Sequence, residues 1–190
     1  MTGERRPGRP RSAESRGAVL AAAMEGLREH GFAALTIEGI AARAGVGKQT
    51  IYRWWPSKAD VVLDALLDRV EERIPVPDEG SLAADLGAFL AATFRESHHR
   101  PVLVGLMAQA LLDPVFAGAF RERFLFSRRA VLRELLDRAV GRGEIARDVD
   151  PELLIDTVYG VLWYRMMLDH APLDEAASRE LAALVVKAAG

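Results

Sequence analysis

Five side chains packed into six positions, Lys48, Gln49, Thr50, Tyr52 and Arg53, carry donors suited to nucleic acid. Lysine and arginine meet phosphates or guanine edges, glutamine pairs with adenine, and threonine and tyrosine hydroxyls bond phosphate oxygens. They close the stretch IEGIAARAGVGKQTIYRWW, which begins at Ile37. A helix-turn-helix needs a small residue where its two helices cross, a glycine at the turn, and apolar residues locking the second helix on the first. Ala41 fills the small position, Gly45 the turn, and Ile40, Ala44, Val46 and Ile51 the lock. The plainer alternative is a helical hairpin with a solvated polar face.

Other chemistries fail on their own requirements. GVGKQT lacks the glycine that a phosphate loop needs five residues before Gly47, where Ala42 stands, and Gln49 replaces the hydroxyl after the lysine. With neither cysteine nor asparagine in the chain, disulfide scaffolds, thiol nucleophiles, Cys-ligated zinc and Cys-His-Asn catalysis are excluded. His30, His98, His99 and His170 fall in no metal-binding spacing, and adjacent His98 and His99 point about 100° apart on a helix. No paired acid–base or nucleophile signature supports the rival reading, an enzyme built on a helical bundle. No catalytic residue, metal or cofactor is therefore expected.

The first residues hold a second basic group. PGRP at Pro7 to Pro10, flanked by Arg5, Arg6 and Arg11 and containing Arg9, is similar to an AT-hook core. An extended, arginine-bearing backbone suits the narrow, strongly negative minor groove of A·T-rich DNA. A solvated tail drawn to phosphates is the equal alternative. Net charge is −2 overall, but residues 1–60 carry +4 and residues 61–190 carry −6, a basic head on an acidic body. Such asymmetry favours an anionic partner at the basic end.

The elements that must position these groups are helices. Half of the 190 residues are hydrophobic and mean hydropathy is +0.05, as in a globular chain. No stretch of about 18 uncharged apolar residues is present, and the N-terminus lacks an apolar signal region, so a cytoplasmic protein away from membranes is expected. Apolar residues recur at spacings of three and four, as on one helix face. Nine helices are predicted, over 12–30, 37–44, 48–54, 57–73, 82–97, 102–112, 115–140, 151–170 and 174–189. Asp113-Pro114 and Asp150-Pro151 each set a capping carboxylate before a proline at the first helical position. The chain reads as all-α: an arm over 1–11, a DNA-binding unit with its connecting helix over 12–73, and a helical body over 74–190. IPVPDEGS, from Ile74 to Ser81, is the linker.

In the body, Phe and Met supply soft, adaptable volume. Phe89, Phe94, Met107, Phe120, Trp163 and Met167, with Gln109 and Arg165 as polar anchors, form the expected lining of a pocket for a small, mainly apolar ligand. Arg165 serves equally well as a structural ion-pair partner, and for each apolar residue singly, core packing is the simpler role. His98 is a further candidate anchor. Leu154, Val158, Val161, Leu162, Leu181, Leu184 and Val185 give the last two helices more apolar surface than one bundle edge needs, and form the expected dimer seam.

From Ser12 to about Arg69 the sequence resembles the DNA-binding domain of the tetracycline-repressor (TetR) family. The resemblance rests on a leading helix ending in EHGF, followed by LTIEGIAARAGVGKQTIYRWWPSKADVVLDAL. It covers about a third of the chain and implies a three-helix DNA-binding unit, an all-α effector-binding body and a homodimer on a near-palindromic, double-stranded operator. The exposed donors and the resemblance together set Lys48, Gln49, Thr50, Tyr52 and Arg53 on the DNA side, with Thr36 and Lys58 at phosphates from two helix N-termini. Trp54-Trp55 departs from the family, which more often has His or Tyr followed by Phe. The function implied is a one-component regulator, most often a repressor, released by a small molecule. A DNA-binding protein without an effector is the alternative.

Overall fold

The computed structural model describes residues 10–70, 76–95 and 100–190; Arg9, the side chain of Arg11, residues 71–75 of the expected linker, and His98 and His99 lie outside the described residues. The described residues form α1 (Pro10–Ala34), α2 (Ile37–Ala44), α3 (Lys48–Tyr52), α4 (Lys58–Val70), α5 (Leu82–Arg95), α6 (Arg100–Leu112), α7 (Pro114–Phe120), α8 (Phe126–Gly141), α9 (Pro151–Leu168) and α10 (Glu175–Ala189), with no strand among them. A π turn, Arg121–Leu125, joins α7 to α8. Its flanking residues keep helical dihedrals, so the two segments are the single helix predicted over 115–140.

Local chemistry sets the boundaries. Gly31 breaks the regular geometry of α1 with φ 74° and ψ 171°, at the stop predicted from sequence, but the last turn reforms to Ala34. Asp113 accepts from the Val115 and Phe116 amides, Asp150 from Glu152, and Asp174 from Ala177, each carboxylate satisfying free N–H groups of a first turn. Ser57 and Asp60 cap α4 reciprocally: the Ser57 amide donates to Asp60 Oδ2 at 3.0 Å, and the Asp60 amide to Ser57 Oγ at 3.4 Å.

Two apolar cores result, and they do not divide at the linker. The first joins Val19, Leu27, Ile40, Ile51, Trp55 and Leu63 of α1–α4 to Leu106 of α6, Phe116 and Phe120 of α7, and Phe124 of the π turn. The second joins Leu86, Phe89 and Phe94 of α5 to Leu135 of α8, Ile155 and Val158 of α9, and Leu181 and Val185 of α10. The domain boundary in the sequence is thus crossed by packing: α6 and α7 complete the core of the DNA-binding unit. Gly105 makes that approach possible, since a Cβ there would stand 2.6 Å from Phe32 Cγ.

Candidate nucleic-acid interface

The turn between α2 and α3 is built as its residues require. Thr36 Oγ1 accepts the Gly39 amide at 3.0 Å and starts α2. Gly45 ends α2 in the left-handed conformation, φ 65° and ψ 30°, which a side chain would disfavour. The Val46 amide then returns to the Ala41 carbonyl at 3.1 Å. Ile51 is wholly buried and pins α3 to the first core. With Ile51 inward, Lys48, Gln49, Tyr52 and Arg53 are exposed and Thr50 is half-buried. Five donor-bearing side chains therefore share a short helical segment whose one anchor is apolar.

Electrostatics already occupy part of this face. Lys48 Nζ lies 2.9 Å from Glu38 Oε1, and that hydrogen bond holds the Glu38 carboxyl below its ordinary range and raises the Lys48 ammonium above its own. The Arg53 guanidinium stacks 5.3 Å over the Trp54 ring, leaving its outer edge to solvent. Trp54 in turn meets Trp55 edge to face at 5.4 Å. Trp55 is buried, as its place in the core demands, and its Nε1–H donates to Asp64 Oδ2 at 2.9 Å.

Asp64 is the residue that sequence reasoning missed. Its carboxylate accepts from Trp55, from Arg16 of α1 at 3.1 Å, and from Arg123 of the π turn. Burial pushes this carboxyl up, and the bonds from Trp55, Arg123 and Arg16 outweigh it, so the group ends below its ordinary value. One carboxylate thus ties the end of the recognition segment to the body. The local pattern gave no sign of it beyond the general rule that a buried indole N–H needs an acceptor.

Lys58, expected at a phosphate, also meets backbone within the subunit. Its Nζ donates to the carbonyls of Phe32, Ala33 and Leu35 at 2.9, 3.3 and 2.9 Å, and its charge lies 4.9 Å from the Phe32 ring centre. Three ammonium protons are matched by three carbonyls at the end of α1, where a cation is favoured.

The body contains a half-open cavity of about 360 Å³ lined by Met107, Ala110, Leu111, Ala117, Phe120, Arg121, Leu125 and Trp163. Met107, Phe120 and Trp163 were expected there; the other expected residues are not on its wall. Phe89 and Phe94 face the second core, because α5 packs on α8 and α10. Met167 is 41% exposed, and Gln109 is half-buried off the wall. Arg165 is not on this wall; its Nη1 donates to the Pro172 carbonyl at 2.8 Å. Arg121, in the π turn, is the one charged residue among those lining the cavity; the wall itself is almost wholly apolar, and the Arg121 side chain is exposed at its open side.

The expected seam also needs correction. Leu154, Val158, Leu162, Leu181 and Val185 are buried within the subunit, because α9 and α10 close the second core with those faces. Val161 is half-buried and Leu184 is 56% exposed. The most exposed large apolar residues of α9 are Leu153, Tyr164 and Leu168, at 64, 59 and 59%, with Met167 beside them. With Thr157, Gly160 and Val161 they follow one helical face.

Among the described residues no cluster could hold a metal ion, and no helix is long and apolar enough to cross a membrane. The fold and the face of α3 define a helix-turn-helix DNA-binding protein with a helical body. Residues 19–65 match the family model described as bacterial regulatory proteins, tetR family, and residues 76–185 match that of the tetracyclin repressor-like C-terminal domain. The chain is 38% identical over 176 residues to the uncharacterized HTH-type transcriptional regulator YdeS of Bacillus subtilis, covering 92% of this chain and 89% of that protein. It is 33% identical over 163 residues to the DNA-binding transcriptional repressor TetR of Mycobacteroides abscessus, covering 84% and 85%. The crystal structure of the TetR family transcription regulator SCO0332 superposes with a TM-score of 0.76 at 35% identity, over 92% of this chain and 98% of that one. The chain belongs to the TetR family of bacterial transcriptional regulators.

Proposed function

We propose that the protein is a repressor that binds a near-palindromic operator as a homodimer and leaves it when a small, mainly apolar molecule enters the body. Lys48, Gln49, Thr50, Tyr52 and Arg53 read or grip the major groove, and Thr36 approaches a phosphate from the start of α2. Dimerisation sets two copies of α3 about 34–36 Å apart, one turn of DNA, and uses the outward face of α9 with Leu184. The repressor assignment follows the activity in the name of the Mycobacteroides relative.

The observation that carries the ligand response is the shared core. Phe120 and Met107 of the cavity wall pack in the same apolar cluster as Ile51 and Trp55 beside the recognition helix. Close-packed cores transmit displacement instead of absorbing it, so filling the cavity shifts the preferred spacing of the two α3 helices. A change of about 1–3 kcal/mol in operator affinity gives a roughly 5- to 150-fold response.

The test is selection of duplexes from a random pool at about 150 mM salt, near physiological ionic strength, followed by a thermal-shift screen of apolar compounds on the complex. The proposal expects one dyad-symmetric sequence holding two chains, and compounds that stabilise the free protein while releasing DNA. No enriched sequence would refute operator reading. Stabilising compounds that all leave the DNA bound would refute the ligand response.

A further inference from the structure

The π turn sets a cation without an acidic partner, among the described residues, against an apolar hollow. Seven of the cavity's lining residues are apolar, and the eighth is Arg121. Further along the same continuous helix, Arg123 is neutralised by Asp64, Arg129 by Glu152 and Asp156, and Arg133 by Asp137 and Glu152. Arg121 is exposed and has no carboxylate or hydrogen-bond acceptor among the described residues. Carboxylates of α4, α8 and α9 thus pair these structural arginines, whereas the one beside the cavity has no such partner among the described residues.

We propose that the cavity takes an amphipathic anion, with an apolar body against Met107, Phe120, Leu125 and Trp163 and a carboxylate on Arg121. This rests on the reading of the cavity as the effector site. A guanidinium presents planar paired donors that match a carboxylate, and charge-assisted bonds of this kind are the stronger class. The apolar wall excludes water from one side of that pair and offers no polar group to a neutral head. An ammonium head on the same body meets like charge. The cavity's 360 Å³ lies at the small end of ligand sites, so the body is a single fused ring system or a short chain.

The experiment measures calorimetric affinity of the full chain for three ligands sharing one body: 2-naphthoate, 2-naphthalenemethanol and 2-naphthalenemethylamine. Octanoate and 2-naphthyl phosphate are added to test the body and the anion type. The acid should bind at least about tenfold more tightly than the alcohol, equivalent to about 1.4 kcal/mol, and the amine more weakly than either. Arg121→Gln should bring acid and alcohol to the same affinity while leaving the alcohol within about twofold of wild type. Ala110→Trp, which fills the cavity, should abolish binding of all three. A phosphate that outbinds both carboxylates would overturn the carboxylate assignment. Equal acid and alcohol in the wild type, a preference surviving Arg121→Gln, or acid binding surviving Ala110→Trp would overturn the proposal, as would no binding of any probe. Operator release is read separately: acid binding with the expected pattern but unchanged operator affinity supports this site and refutes only the ligand response.

Discussion

Replacing Asp64 by Asn removes a charge from the junction between the DNA-binding unit and the body while keeping its shape. Arg16 and Arg123 are each close to half exposed, so each broken ion pair costs about 0.5–1 kcal/mol. The indole bond from Trp55 is partly buried and loses its charge assistance, about 1 kcal/mol more. The expected loss is about 2–3 kcal/mol at neutral pH, and at about 2–4 °C per kcal/mol for a chain of this size the melting temperature falls by roughly 4–12 °C. The pH dependence is the sharper signature. A carboxyl whose folded pKa lies below its unfolded value of about 3.9 contributes stability above that value and loses it as pH falls through the folded pKa. The gap between wild type and Asp64→Asn should therefore hold constant from about pH 6 to 8 and close below about pH 4. Urea denaturation followed by tryptophan fluorescence, at fixed protomer concentration, measures both. A gap that is absent at neutral pH, or that persists unchanged well below the unfolded pKa, would refute the hub.

Gly105→Ala should force α6 away from Phe32, costing about 1–3 kcal/mol in a thermal melt and lowering operator affinity even though neither residue faces DNA. A glutamate in the outward face of α9, Tyr164→Glu, should yield monomers in sedimentation because the charge would be buried without a partner, whereas a dimer of unchanged affinity would move the seam elsewhere. Deleting residues 2–11 should lower operator affinity without changing the preferred sequence, and should reduce the slope of log K against log salt by about 0.9 for every phosphate the arm had neutralised; an unchanged slope would make the arm a solvated tail.

How much of this was legible depended on range. The α2–α3 turn was readable because each of its demands is local: Thr36, Gly45 and Ile51 are required by positions a few residues apart. The starts of α7 and α9 were readable for the same reason, from Asp113-Pro114 and Asp150-Pro151. What failed was nonlocal. Helix α9 is apolar on opposite faces, so periodicity could not tell which face meets α10 and which meets solvent; Leu154, expected in the seam, is buried, and its neighbour Leu153, which the pattern did not single out, is exposed. The resemblance set Lys58 at a phosphate; that its ammonium meets the carbonyls at the end of α1 had no local signal, because they lie more than twenty residues away. The π turn had no sequence signal, yet it places Arg121 at the cavity and Arg123 on Asp64.

Hydroxyl-radical footprinting on the selected duplex asks whether α3 of two chains reads one operator. Wild type should protect two patches related by a dyad and centred one helical turn apart, about 10–10.5 base pairs, or a whole multiple of it. The Tyr52→Ala, Arg53→Ala variant should lose both patches together while keeping its melting temperature, since neither side chain is buried. A single asymmetric patch, or a footprint that survives in that variant, would contradict operator reading by paired α3 helices.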